Sequence, residues 1–184
     1  MPRRLYVTPN PQKKHQRGQS LVEFALSSVV LLLLVGGLVD IGRAISVSET
    51  LANAAREGAR HGAWFDAPNQ QTPYLNDASI QAAVNQELTS ASLPASTLKP
   101  GCPSVSDGNA YHNPPYPNAT YPVSANQPWL YICYNNTSGP PVQGGGQDLN
   151  VIVLYTFSPM TPLISGQFGV FHLAANEHVL VQGP

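Results

Sequence analysis

Few residues in this chain could do chemistry, and they sit in unlike surroundings. Glu23 is a carboxylate just inside the mouth of an apolar run: from Phe24 to Val39 there are 16 residues without an ionisable group, and extending back to Leu21 takes in only Glu23. A carboxylate in hydrocarbon costs a few kcal/mol on insertion scales, and less near the interface, so Glu23 calls for a cation. Arg17 is the simplest one, which would make Glu23 an ordinary interfacial acid. Cys102 and Cys133 are the only cysteines, and neither has a second Cys or His at metal-ligand spacing. A disulfide is expected, with two separate buried thiols as the other reading. A closed loop of about 30 residues would stabilise the folded state by roughly 3 to 4 kcal/mol on the chain-entropy estimate. His172 and His178 would share one face of a strand, but two imidazoles without a third ligand make a weak zinc site. "GGGQ" at Gly144 to Gln147 lacks the Lys-Ser/Thr of a phosphate loop and reads as a flexible turn. Ser158 and Ser165 have no His and Asp arrangement to activate them. Asn118-Ala-Thr120 and Asn135-Asn-Thr137 fit the glycosylation acceptor pattern and read as loop residues. No catalytic residue, metal, cofactor or small-molecule substrate is expected.

The elements that position these residues begin with the apolar run. From Leu21 to Val39 it gives roughly 28 Å of helix at about 1.5 Å per residue, nearly a bilayer span. "ALSSVVLLLLVGGLV" offers only Ser27 and Ser28 as polar groups, and both can bond back to their own helix. A transmembrane segment over about 21–41 follows. Arg3, Arg4, Lys13, Lys14 and Arg17 precede it without an acid, whereas the chain after Ala63 has one base, Lys99, against six acids. That asymmetry keeps the N-terminus cytoplasmic and sends the rest across. The formal net charge of −1 argues against a nucleic-acid partner.

Past Val39 the helix should continue to Ala63, since "DIGRAISVSETLANAAREGARHGA" has good helix formers and no proline. Ala44, Val47, Leu51, Ala54, Ala55, Gly58 and Gly62 form a stripe of mostly small residues spaced three or four apart. The stripe can seat the chain's own head or pack on neighbouring subunits. Asp40 with Arg43, and Glu57 with Arg60, are spaced to pair across a turn. Beyond Ala63, where 15 of the 18 prolines fall, the architecture changes. "NDASIQAAVNQELTSASL" reads as a short helix capped by Asn76 or Asp77, with Ile80, Ala83, Val84 and Leu88 on one side. The proline-rich segment 94–128 reads as loops. "WLYICY", "LNVIVLYTF" and "FHLAANEHVLV" read as strands. Trp129, Tyr131, Tyr134 and Tyr155 are candidates for a sticky surface, although aromatics in strands more often build core. The expected fold is α+β: a leader over 1–18, a long helix over 19–63, and a head over 64–184 with an antiparallel sheet of three or four strands packed on helices.

"RGQSLVEFAL", Arg17 to Leu26, resembles a class III signal, in which a prepilin peptidase cuts after glycine on the cytoplasmic face. Together with "VDIGRAISVSETLANAAREGARHGA" it is similar to the TadE-like family, pseudopilins or minor pilins of the tight-adherence, Flp-type pilus system. The closing strands resemble that family less specifically, and 64–147 has no counterpart. The resemblance implies a cut after Gly18, a new N-terminus at Gln19, and Glu23 as the fifth residue of the mature chain, where pilin-like proteins carry their acid. Gln19, Glu23 and Phe24 are then the assembly residues. The implied partners are a prepilin peptidase, the cytoplasmic membrane of a bacterium or archaeon, and other pilin subunits. Cleavage would create an ammonium about 6 Å along the helix from Glu23, able to pair within the chain or with a neighbour's Glu23. Many relatives carry a proline early in the apolar run, where this chain has Ser27 and Ser28.

Two other readings compete. One is a secreted binding protein whose signal peptide is cut near Gly42-Arg43-Ala44, although Asp40 and Arg43 crowd that site. The other is an uncleaved single-pass membrane enzyme, for which an active-site constellation is missing.

Overall fold

A computed structural model describes residues 16–65, 72–103, 114–135 and 146–181. Helix α1 runs unbroken from Gln16 to Ala63, 48 residues, or about 72 Å. Its first half shows its apolar side chains to the surroundings: Phe24 is 73% exposed and Leu32 70%. Ser28 bonds back to the Ala25 carbonyl at 2.9 Å, so the hydroxyl is satisfied inside the helix without breaking it.

The second half of α1 is core. Leu51, Ala54, Ala55, Gly58, Ala59 and Gly62 are buried, and Ala44 and Val47 pack beside them half-buried. Their partners belong to this same chain: Ile80, Val84 and Leu88 of helix α2 (Asp77–Ser90), and residues of the sheet. Of the two surfaces open to the small stripe, it covers the chain's own head. Asn76 caps α2, its side chain accepting from the Ser79 N–H at 3.1 Å, and His61 Nε2 meets Ser79 Oγ at 2.7 Å, tying the two helices together.

The sheet has four strands in the order β1 (Thr97–Leu98), β2 (Pro128–Tyr134), β3 (Asp148–Phe157), β4 (Phe171–Leu180). β2, β3 and β4 are antiparallel, as expected, but β1 pairs with β2 in parallel, Thr97 beside Trp129. The sheet is therefore mixed rather than wholly antiparallel, and the proline-rich stretch contributes its edge. Two residues between prolines are long enough for one short ladder, which Lys99 N–H extends by donating to the Leu130 carbonyl at 2.8 Å. The same stretch holds a 3-10 turn at Asn118–Thr120.

Every residue of β3 is buried, because the strand has cover on both faces. Alternation divides it. Leu149, Val151, Val153, Tyr155 and Phe157 join the helices, with Leu130 and Ile132 of β2 beside them. Ile152 and Leu154 point the other way, onto Tyr116, Tyr121, Tyr131 and Cys133. The loop forming that second layer is held by Tyr131 OH donating to the Thr120 carbonyl and by Thr156 Oγ1 donating to the Pro122 carbonyl. The Cys102–Cys133 disulfide, with Cα atoms 5.6 Å apart and a sequence separation of 31, ties the chain after β1 to this face.

The pairing of α1 with β3 fixes the direction of the head. A Cβ at Gly62 would meet Leu149, one at Gly58 would lie 3.2 Å from Val151, and Arg43 lies over the Phe157 ring at 5.3 Å. β3 thus descends alongside α1 toward the apolar half. Between Phe157 and Phe171 the chain turns through helix α3 (Pro162–Phe168), and β4 climbs back. No helical periodicity in the sequence marks α3.

Candidate functional site

Two places on α1 carry the residues of interest. At its N-terminal end Gly18, Gln19, Glu23 and Phe24 are all exposed. Gln19 Nε2 donates to Glu23 Oε1 at 3.1 Å, so residues four apart stand one turn above each other. Gly18 faces open space: a Cβ there would have nothing within 4 Å. Glu23 is thus an exposed carboxylate on a lipid-length apolar surface, with the Gln19 amide as its donor.

The second place is the junction between the apolar half and the head. Asp40 is 4% exposed. Its Oδ1 accepts from the Met160 N–H and its Oδ2 from the Thr161 N–H, both at 2.9 Å. Arg43 donates to Oδ1 at 3.3 Å while resting on Phe157. Three donors thus offset the cost of taking this charge out of water. The pairing of Asp40 with Arg43 follows the sequence spacing. The bonds to Met160 and Thr161, 120 and 121 residues away, do not. Thr161 also packs over Gly36, where a Cβ would come within 3.0 Å of Thr161 Oγ1, and Ile164 packs over Gly37, where a Cβ would lie 3.5 Å from Ile164 Cδ1. The local signals for α3 were Pro162 at its first turn and Gly169 past its end, at φ 68, a left-handed conformation that glycine adopts cheaply.

Asp40→Ala would leave two amides without their acceptor. Charge-assisted bonds of this kind contribute about 1.5 to 3 kcal/mol each, so the turn should loosen by about 3 kcal/mol. Hydrogen exchange checks it: the Met160 and Thr161 amides should exchange about a hundredfold faster, while core β3 amides stay protected.

The remaining candidates fall apart spatially. Six residues along a strand is about 20 Å, and the two histidines have separate neighbours: His172 stacks on Tyr121, centroids 4.2 Å apart, and His178 Nε2 lies 3.0 Å from Asp148 Oδ2. Tyr131 and Tyr155 are core. Trp129 carries Lys99 Nζ over its ring at 3.7 Å, and Tyr134 packs edge-on against Tyr74. Burial, together with a bond donated to Asp77 at 2.6 Å, pushes the Tyr134 hydroxyl far above its ordinary pKa. Arg60, bonded to Glu57, holds that carboxyl below its ordinary value, a solvated pair on the outer helix face. Gly144 and Gly145, and the Asn136-Thr137 part of the second acceptor pattern, lie outside the described residues.

Helix and junction define an α+β head seated on the distal half of an apolar N-terminal helix. Residues 18–60 of that helix match the model of the family described as TadE-like protein. The match covers Gly18, Glu23, the junction glycines, Asp40 and most of the small stripe. Comparisons with curated proteins and with solved structures find no match.

Proposed function

We propose that this chain is a minor pilin or pseudopilin of a tight-adherence, Flp-type pilus: an assembly subunit, not an enzyme. The observation that carries the reading is Glu23, a lone acid on the exposed apolar half of a TadE-like helix, one turn from Gln19. A prepilin peptidase cuts after Gly18 on the cytoplasmic side. The cut turns the Gln19 backbone nitrogen into an ammonium. Salt-bridged to the Glu23 of an adjoining subunit, it neutralises the acid in hydrocarbon and favours one axial register. The helix is the anchor before assembly and the packing element afterward, with the disulfide-closed head outside the cytoplasm.

The junction argues against the secreted reading. A signal-peptide cut after Ala44 would remove Asp40, on which the Met160 and Thr161 amides depend, and the glycines under Thr161 and Ile164.

Glu23→Ala tests the pairing. The variant should be cut as wild type and the head should fold unchanged, because Glu23 is exposed and far from it. A pair contributing even 1.4 kcal/mol shifts an equilibrium about tenfold, so incorporation into filaments or assembly complexes should drop by at least about that factor. Immunoblots of sheared and membrane fractions give the ratio. Incorporation equal to wild type would contradict the pairing.

A further inference from the structure

The turn between β3 and β4 stands at an unexpected height. Thr161 and Ile164 rest on Gly36 and Gly37, inside the apolar run, four to five residues before Ile41 and so about 6 to 8 Å along the helix from it. The tip presents Met160, Phe168, Val170 and Phe171, exposed by 72%, 70%, 48% and 41%. From Leu149 to Asn176 the chain has no Asp, Glu, Lys or Arg. These side chains continue the exposed apolar surface of Leu38, Ile41 and Ile45 on α1. Between tip and helix lies an open cleft of about 690 Å³, with Ile41, Ala44 and Ile45 on one wall and Ile164, Phe168 and Phe171 on the other. Its charged group, Asp40, is already bonded to backbone amides.

We propose that this tip is a membrane-interface wedge: the α3 turn dips into the outer leaflet beside α1, and the cleft takes a phospholipid acyl chain. Height chooses the occupant. A surface fastened to the apolar part of a spanning helix meets acyl chains before it meets anything else. Charge-free sequence with exposed Phe, Val and Met suits that layer, whereas in water so continuous a patch would promote association. The Asp40 clamp holds the wedge at this depth. The proposal rests on the reading that α1 spans the membrane, and its test separates the two.

Full-length chain is reconstituted in phosphatidylcholine–phosphatidylglycerol vesicles containing lipid brominated midway along the acyl chain. Phe168→Trp and Leu38→Trp are each made in a Trp64→Phe, Trp129→Phe background, with formation of the Cys102–Cys133 disulfide as the folding check. Both tryptophans should be quenched to a comparable extent. Quenching of Leu38→Trp without Phe168→Trp would overturn the wedge and leave the span intact. Quenching of neither would overturn both. A Phe168→Trp residue unquenched by lipid yet shielded from aqueous acrylamide as protein density rises would assign the tip to a second copy and overturn the lipid assignment.

Discussion

Gly18→Val is expected to leave the chain uncut, at full precursor length in the membrane fraction. The prediction is sharp because the fold makes no use of this position: a Cβ at Gly18 meets nothing within 4 Å, and the head lies at the far end of α1. Any loss therefore reads the peptidase and not folding. A branched side chain beside the proposed scissile bond would block approach to it, and an uncut chain keeps the Gln19 nitrogen as a neutral amide. Glu23 then lacks the ammonium that would neutralise it, so the uncut variant should also be absent from assembled material. Immunoblotting against wild type resolves the two lengths. Normal maturation of Gly18→Val would remove the assignment of Gly18 as the processing site.

Gly62→Leu should unseat the head. The first carbon added at Gly62 already meets Leu149 and comes within 2.8 Å of Ile80 Cδ1, and a leucine adds three more where α1, α2 and β3 converge. Overpacking commonly costs about 1 to 3 kcal/mol and sometimes more. With fixed neighbours on two elements the upper end applies, about 3 kcal/mol, or roughly 6 to 12 °C of melting temperature for a chain of this size. Gly58→Leu should behave alike, since a Cβ there lies 2.5 Å from Val84 Cγ2. Gly42→Ala is the control: its Cβ has open space, and alanine favours helix over glycine by up to about 1 kcal/mol. Circular dichroism melts of the disulfide-intact protein measure all three. If Gly62→Leu melted with wild type, the small stripe would not be seated as described.

Gly58 and Gly62 are residues that sequence periodicity exposed, and their legibility has a physical cause. Ala44 to Gly62 repeat every three or four residues because one helix face is buried. The pattern reports the burial, however, and not the partner, so it left open whether head or neighbour would cover the stripe. β2, β3 and β4 were legible from aromatic and β-branched residues or alternating polarity, and the Val151–Tyr155 stretch of β3 can be continuously apolar because both faces of the strand are covered. The disulfide followed from cysteine number and placement. Other features had no periodic signature to give. β1 is two residues between prolines, held by its pairing with β2 more than by propensity. α3 is a seven-residue turn marked only by Pro162 and Gly169. Asp40 advertised its local pairing with Arg43, while its two structural bonds span about two thirds of the chain. At the N-terminal end the position of Glu23 is a plain physical anomaly in the sequence. The processing role proposed for Gly18 rests on family resemblance, because nothing in the energetics of a glycine marks a cleavage site.

The central claim is that proteolysis frees an amine one helical turn from an acid in the apolar run, and so converts an anchored precursor into an assembly-competent subunit. Intact-mass spectrometry with N-terminal sequencing of the protein from cells that express a prepilin peptidase tests it most directly. The predicted result is a chain beginning at Gln19. A chain that retains residues 1–18 in assembled material would contradict it.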